Sequence, residues 1–285
     1  MYFAFFTLQM SIITLTSDYG TTDYRVAAIK GTILNLNPDA KMADVTHEVQ
    51  VYNLLQTSYI VKNAYRYFPK GSIHVICVDS FFHKERKNLI FKFDGHYFIS
   101  ADNGVLSLIF SEIKPEGVWE ITYTNRFDDQ IGLTATDIFA QAAVHLQNGG
   151  LPEVIGRKVK TAKLLSSPKA GSKDDLIFGE VIYIDNFGNI VSNIPYRLFE
   201  QNQASFNSFT IKFRNLALSK IYRSHSEVVT SWENESSFHG KPAAIFNDNG
   251  LLELTIYKGS IENGAKTLFG LKVGEKIYIE FENKL

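Results

Sequence analysis

The stretch "LTSDYGTTDYRVAAIKG", residues 15–31, decides how the first half of the chain is read. A run of β-formers over residues 12–16 stops at Asp18, Gly20 follows, a second acid stands at Asp23, and a helical pattern starts at Tyr24. Working outward, the same strand-then-helix alternation returns. A helix over 24–36 ends before Asn37-Pro38, a strand follows over 41–46, and a helix over 53–67 is stopped by Pro69. Residues 73–78 (IHVICV) read as a strand buried on both faces. Residues 88–93 and 96–101 flank Asp94-Gly95, a hairpin signal. Helices over 104–110 and 137–146 and a strand over 118–122 complete the set, with Gly149-Gly150 closing the last helix. The alternation predicts an α/β N-terminal domain, residues 11–163, around a mainly parallel central sheet. Residues 164–176, which carry SSPKAGSKDD, have the composition of a linker. Beyond them, strand follows strand over 177–184, 189–194, 209–213, 243–246, 251–255 and 276–281. That pattern predicts a smaller all-β barrel domain over 177–285.

Composition narrows the function classes. The 285 residues are 45% hydrophobic and 21% charged with a formal net charge of −1. No sign-biased field marks nucleic acid or anionic lipid as a partner. The apolar N-terminal residues lack a basic leader and run into the first strand, so residues 1–10 read either as a poorly ordered extension ahead of the core or as residues upstream of the real start. No uninterrupted apolar run of about 18 residues exists, so no membrane span is expected and the protein is read as cytoplasmic. Cys77 is the sole cysteine and sits in an apolar run, where it reads as a buried small hydrophobe. Neither a Cys-based zinc site nor a histidine spacing of metal-binding type is present, so no metal is expected.

The candidate chemical groups each carry two readings. Asp18, at the carboxyl end of a strand, either caps the following helix or accepts hydrogen bonds from the two hydroxyls of a ribose. Asp23 lies nearer the helix start and is the better cap. Gly20-Thr21-Thr22 lacks a GxGxxG pattern, so no dinucleotide pyrophosphate is indicated. Asp79, followed by His83, Lys84 and Arg86, either forms a structural ion pair or orients a water. "ADNGVL", from Ala101, reads as a turn and helix cap. "YIDNFGNIVSNI", from Tyr183, is either a hairpin with a bulged glycine turn or a set of polar groups for a zwitterion, with Asp185 on the ammonium. "FNDNGLLEL", from Phe246, is either another turn or an amide-rich edge for adenine.

In order along the chain, "TSDYGTTDYRVAAIKG", "DVTHEV", "CVDS" with Arg86, "SADNGVLS", "TDIFAQAAVHL", "IDNFGNIVSNI" and "NDNGLLEL" resemble the S-adenosylmethionine (SAM) hydrolases, or SAM hydroxide adenosyltransferases, a family that includes fluorinase and chlorinase. The resemblance spans residues 11–285 and implies an α/β domain followed by a β-barrel. It also implies a homotrimer with SAM bound between neighbouring subunits. SAM is then the substrate, and no cofactor is needed. By position, Asp18 is implied at the ribose diol, Tyr52 as an aromatic wall, and Asp185 at the methionine ammonium beside Phe187 and Asn189. Asp248 and Asn249 fall at the adenine or methionine end, Asp248 replacing a usual serine. Asp79 and Arg86 match two members of an Asp, Arg, His set around the attacking water, and Thr134 stands where the family has the histidine. Ser80-Phe81-Phe82-His83 replaces a proline-glycine-valine-glycine loop. The resemblance implies hydrolysis of SAM to adenosine and L-methionine by attack of water at ribose C5′. A non-catalytic SAM or adenosine binder and a SAM-dependent halogenase are the alternatives; within the hydrolase reading His83 is the candidate to replace the missing base.

Overall fold

A computed structural model of the chain describes residues 11–110, 114–122 and 133–283. Residues 1–10, read above as an extension, and Gly132 of the Thr134 motif lie outside the described residues. The chain divides into two compact units, Met1–Ser167 and Pro168–Leu285.

The first unit is built from β1 (Ile13–Ser17), α1 (Tyr24–Leu36), β2 (Met42–Thr46), α2 (Leu54–Ala64), β3 (Ile73–Cys77), β4 (Asn88–Phe93), β5 (His96–Ala101), α3 (Val105–Ile109) and β6 (Gly117–Ile121). A π-helical stretch, Ala135–Ala140, then runs into α4 (Gln141–Gln147), followed by α5 (Pro152–Ile155) and β7 (Gly156–Lys158). Its described strands form a seven-stranded sheet in the order β2-β1-β3-β5-β4-β6-β7. β2, β1, β3 and β5 pair in parallel, whereas β4 pairs antiparallel with β5 and β6, and β6 with β7. The expectation of a mainly parallel sheet is therefore corrected to a mixed one. The reason is local: Asp94 (φ 50) and Gly95 (φ 72) both take left-handed backbone, the geometry of a two-residue hairpin, which joins only antiparallel strands.

All five residues of β1 and of β3 are buried, because helices cover both faces of the sheet. Alternation along β3 sends Ile73, Val75 and Cys77 to one core, beneath α1 and α4, and Ile76 and Val78 to the other, beneath α2 and α3. Cys77 is buried, as the sequence indicated.

His74 is the polar residue in this apolar strand. Its Nδ1 lies 2.8 Å from Thr14 Oγ1 and its Nε2 lies 3.2 Å from His96 Nδ1, while its ring stacks on Phe98 at 4.8 Å. Burial, and then the neighbouring His96, pull its pKa down to about 3. A histidine lowered in the folded state contributes stability that is complete above its unfolded value, about 6.5, and is lost as pH falls toward 3. The loss approaches about 1.4 kcal/mol per pH unit. We expect the urea midpoint to fall between pH 6.5 and pH 4 and to fall less steeply in His74→Gln; equal slopes would remove His74 from the explanation.

The second unit contains β8 (Gly171–Lys173), β9 (Leu176–Ile184), β10 (Ile190–Pro195), α6 (Tyr196–Gln203), β11 (Ser208–Phe213), β12 (Leu216–Leu218) and β13 (Ile221–Tyr222). Two 3-10 segments, His225–Val228 and Trp232–Phe238, precede β14 (Pro242–Phe246), β15 (Leu251–Ile256), α7 (Ala265–Phe269) and β16 (Lys276–Glu282). The described strands form one nine-stranded sheet in the order β12-β11-β16-β9-β10-β15-β14-β13, with β8 on β9. The sheet curls around an apolar interior that includes Ile177, Ile190, Leu252, Ile277 and Phe281, and is nearly barrel-shaped, its hydrogen-bonded path ending at β12 and β13. Two features modify the all-β expectation. Helix α6 packs Phe199 into the core, and α7 does the same with Ala265 and Phe269. β8 lies inside the 164–176 stretch and pairs with β9. Among the described residues no helix is long and apolar enough to cross a membrane.

Candidate functional site

The two acids of the opening motif divide their work. Asp23 caps α1, its Oδ1 accepting the Arg25 backbone N–H at 2.8 Å. Asp18 plays no part in that cap. Parallel pairing aligns Ser17 with Cys77, so the residues that follow β1 and β3 emerge side by side. There Asp18 Oδ2 accepts the backbone N–H of Tyr52 at 3.0 Å and that of Asp79 at 3.2 Å. Both donors have left-handed backbone, φ 63 at Tyr52 and φ 46 at Asp79, so one carboxylate holds two unusual turns in place. Both bonds fall on Oδ2. Among the described residues Oδ1 has no hydrogen bond and is available to a hydroxyl.

Asp79 is braced from several directions. Arg86 donates from Nη1 to Asp79 Oδ2 at 3.1 Å and from Nη2 to the Phe81 carbonyl, and its guanidinium lies 4.5 Å over the Phe81 ring. The pair is partly buried, with side-chain exposures of 16% for Arg86 and 23% for Asp79. Asn103, in the ADNGVL segment, donates from Nδ2 to the Val78 and Asp79 carbonyls at 2.9 and 3.2 Å, while its Oδ1 accepts the Val105 N–H at the start of α3. The sequence reading of a turn and cap is therefore right but incomplete, since Asn103 also fixes the Asp79 backbone. Tyr19 reaches across to Ser80, oxygen to oxygen 3.2 Å, and burial pushes its phenol well above the usual range. His47, in DVTHEV, lies 2.7 Å through Nδ1 from Ser17 Oγ and so supports the end of β1.

Thr134 is not hydrogen-bonded to this group. It is buried at the head of the π-helical stretch, and its hydroxyl has no hydrogen-bond partner among the described residues. It makes no hydrogen bond to Asp79 or Arg86. The helix expected over 137–146 begins with this π turn, where Asp137 accepts from Leu133 N and Thr136 Oγ1.

In the second unit Asp185, Phe187, Asn189 and Asp248 line one cavity of about 700 Å³. Asn249 is not among its described lining residues, and its backbone N–H donates to Asn247 Oδ1. Asp185 is held by its own loop: Oδ1 accepts from Phe187 N at 2.9 Å and Asn189 N at 2.8 Å, and Oδ2 accepts from Asn189 Nδ2 at 2.9 Å. Both the hairpin and the zwitterion readings of this segment are compatible with that geometry, because the turn aims the carboxylate at the cavity it lines.

Residues 13–156 match the model of the SAM hydroxide adenosyltransferase N-terminal domain, and residues 179–278 match that of the C-terminal domain. The chain belongs to the SAM hydroxide adenosyltransferase family. It is similar to the (R)-S-adenosyl-L-methionine hydrolase of Methanocaldococcus jannaschii, 29% identical over 267 residues that cover 91% of this chain and 92% of that protein. It is also similar to a fluorinase from Actinopolyspora mzabensis, 24% identical over 64% of this chain and 71% of that one. An uncharacterised conserved protein from Thermotoga maritima has the same fold, with a TM-score of 0.81 and 26% identity over 94% of this chain and 99% of that one.

Within this SAM hydroxide adenosyltransferase, sequence reasoning missed Asn103 and the part of the 700 Å³ cavity wall formed by His225, Glu253 and Thr255. Asn103 stood in a quoted motif whose turn chemistry already explained it. Glu253 offered one signal, a carboxylate in the strand LLELTI, whose alternate residues Leu252, Leu254 and Ile256 face the core while Glu253 and Thr255 face the cavity. It is only 7% exposed. Burial first, then the charges of Asp185 and Asp248, raise it to about 7, against a lowering hydrogen bond from Asn247 Nδ2 at 3.2 Å. An acid raised in the folded state contributes stability that is complete below its unfolded value of 4.5 and lost as pH rises through 7. Glu253→Gln keeps the acceptor for Asn247 and removes the charge. By calorimetry we expect its Tm to exceed that of the wild type at pH 8 and to match it at pH 4.5; a lower Tm at pH 8 would contradict this.

Proposed function

We propose that this protein hydrolyses S-adenosyl-L-methionine to adenosine and L-methionine. The observation that carries the proposal is the junction at the ends of β1 and β3. There Asp18 keeps one oxygen for a sugar hydroxyl and fixes the backbone of Asp79, whose carboxylate is paired with Arg86. The family relatives named SAM hydrolases support the same reading.

The chemistry needs little more than that. Water attacks ribose C5′ in line with the C–S bond, that bond's electron pair leaves with sulfur, and methionine departs as a neutral thioether. A sulfonium needs no proton to leave, so no general acid is required. What must be supplied is a positioned water, a dry environment and an acceptor for its proton. Asp79 accepts that proton, and Arg86 fixes the carboxylate. On this reading residues 11–163 supply the ribose and water sites, with Tyr52 against the ligand. The barrel unit supplies Asp185 for the methionine ammonium, with Phe187, Asn189, Asp248 and Asn249 around the rest of the molecule. Following the family resemblance, we assign the complete site to the meeting of two subunits in a cytoplasmic homotrimer.

A second reading is favoured by Thr134, whose buried hydroxyl replaces the family histidine and makes no bond to the catalytic pair. In that reading the protein binds SAM or adenosine without turning SAM over. Purified protein is incubated with each sulfonium epimer of SAM, and adenosine is followed by chromatography. Adenosine above the spontaneous background supports the hydrolase. No adenosine, with SAM still raising the Tm, establishes the binder. A 5′-halo-adenosine formed in added halide establishes a halogenase. Sedimentation tests the trimer.

A further inference from the structure

Thr255 is a hydroxyl residue in β15, 1% exposed, between the core residues Leu254 and Ile256. A hydroxyl buried there is costly unless it is bonded, and its bonds have a direction. Its Oγ1 donates to Asn189 Oδ1 at 2.6 Å, and His225 Nε2 lies 3.3 Å from the same hydroxyl. Since the hydroxyl proton is committed to Asn189, the His225 nitrogen is the donor. Asn189, with its carbonyl oxygen thus fixed, must turn its amide nitrogen the other way, toward Asp185 Oδ2 at 2.9 Å. Every donor in the series points the same way, from His225 through Thr255 and Asn189 to Asp185.

The consequence is a count of acceptor sites. A carboxylate offers about four lone-pair sites. Two backbone N–H groups take Oδ1, and the Asn189 amide takes one site on Oδ2. One directed site on Oδ2 remains, on a carboxylate that lines the 700 Å³ cavity. If the Asn189 amide were free to flip, its oxygen would face the carboxylate, the two acceptors would repel, and Asp185 would rotate away from this pose.

We propose that Thr255, with His225 behind it, is a positioning residue that locks the Asn189 amide and thereby presents Asp185 to the substrate's ammonium group. This inference rests on the functional reading given above. It adds a specificity device: the affinity for the amino-acid end of the ligand is set by a hydroxyl three hydrogen bonds removed from it, while the nucleoside end is not.

The test uses the full-length protein and calorimetric titration with SAM, L-methionine and adenosine. Thr255→Val should weaken SAM and L-methionine about tenfold, on the order of 1.4 kcal/mol, while adenosine changes by less than about twofold. Thr255→Ser, which restores the hydroxyl, should recover most of the loss. SAM binding in Thr255→Val equal to the wild type would overturn the proposal, as would a parallel loss of adenosine. Should that variant fail to fold, His225→Leu decides: SAM should weaken by about threefold with adenosine unchanged, and unchanged SAM overturns the proposal. A wild-type protein that binds adenosine but neither SAM nor L-methionine would defeat the functional reading and this inference together. A wild type that hydrolyses SAM beside variants that bind it equally well would defeat the inference alone.

Discussion

Asp79→Asn should lower the rate of adenosine formation from SAM by about 10²–10⁴-fold while SAM still raises the Tm. The substitution keeps the shape of the side chain and a donor–acceptor group for Arg86, but it removes the carboxylate proposed to take a proton from water. The backbone N–H of residue 79 still reaches Asp18 Oδ2, so the junction itself survives. The loss should therefore appear in kcat rather than in binding. Activity within about threefold of the wild type would place the base elsewhere, since a positioned base is worth far more than that. His83 is then the next residue to remove. It lies on the exposed loop that departs from the family pattern, with its Nδ1 accepting the Glu85 N–H at 3.3 Å.

Asp18→Ala should abolish detectable nucleoside binding and also destabilise the first unit. Two effects combine. The ribose loses its proposed carboxylate partner, and the Tyr52 and Asp79 amides lose their shared acceptor. Each orphaned amide costs about 1–3 kcal/mol to the extent that water cannot replace the acceptor. Exposure at Tyr52 makes the smaller figure apt there. Asp18→Asn separates the two effects. Its carbonyl oxygen can still accept both amides, so the Tm should stay near that of the wild type, whereas the neutral amide grips a diol more weakly. Titration with adenosine alongside thermal melts reads both quantities. Undiminished adenosine binding in both variants would remove Asp18 from the ligand site.

Much of the architecture was legible because its causes are local. Helix α1 was read from its periodicity, its Asp23 cap and the Asn37-Pro38 stop, and it occupies the expected residues. The β4–β5 hairpin was read from Asp94-Gly95, since only residues tolerant of left-handed backbone make that turn. Helix α6 was not read, because eight residues with few apolar positions carry a weak periodic signal, and Phe199 gains its helical context from the core it enters. The strands β7, β12 and β13 are three residues long or shorter, too brief for alternation to be seen. At the site, the sequence supplied Asp18, Asp79, Arg86 and Asp185 as residue types in suggestive places, but it left each with two readings.

By itself, then, the sequence determined the two-part organisation, most of the regular elements and, through its motifs, the family to which they belong. All of these follow from interactions within a few residues or from recurring short patterns. Only the tertiary structure decided that Asp18 holds Asp79 rather than capping α1, and that Thr255 and His225 stand behind Asp185. The contacts Asp18–Asp79, Thr255–Asn189 and His225–Thr255 join residues 61, 66 and 30 positions apart. Such contacts arise from strand register and burial, and the local chain carries no record of either.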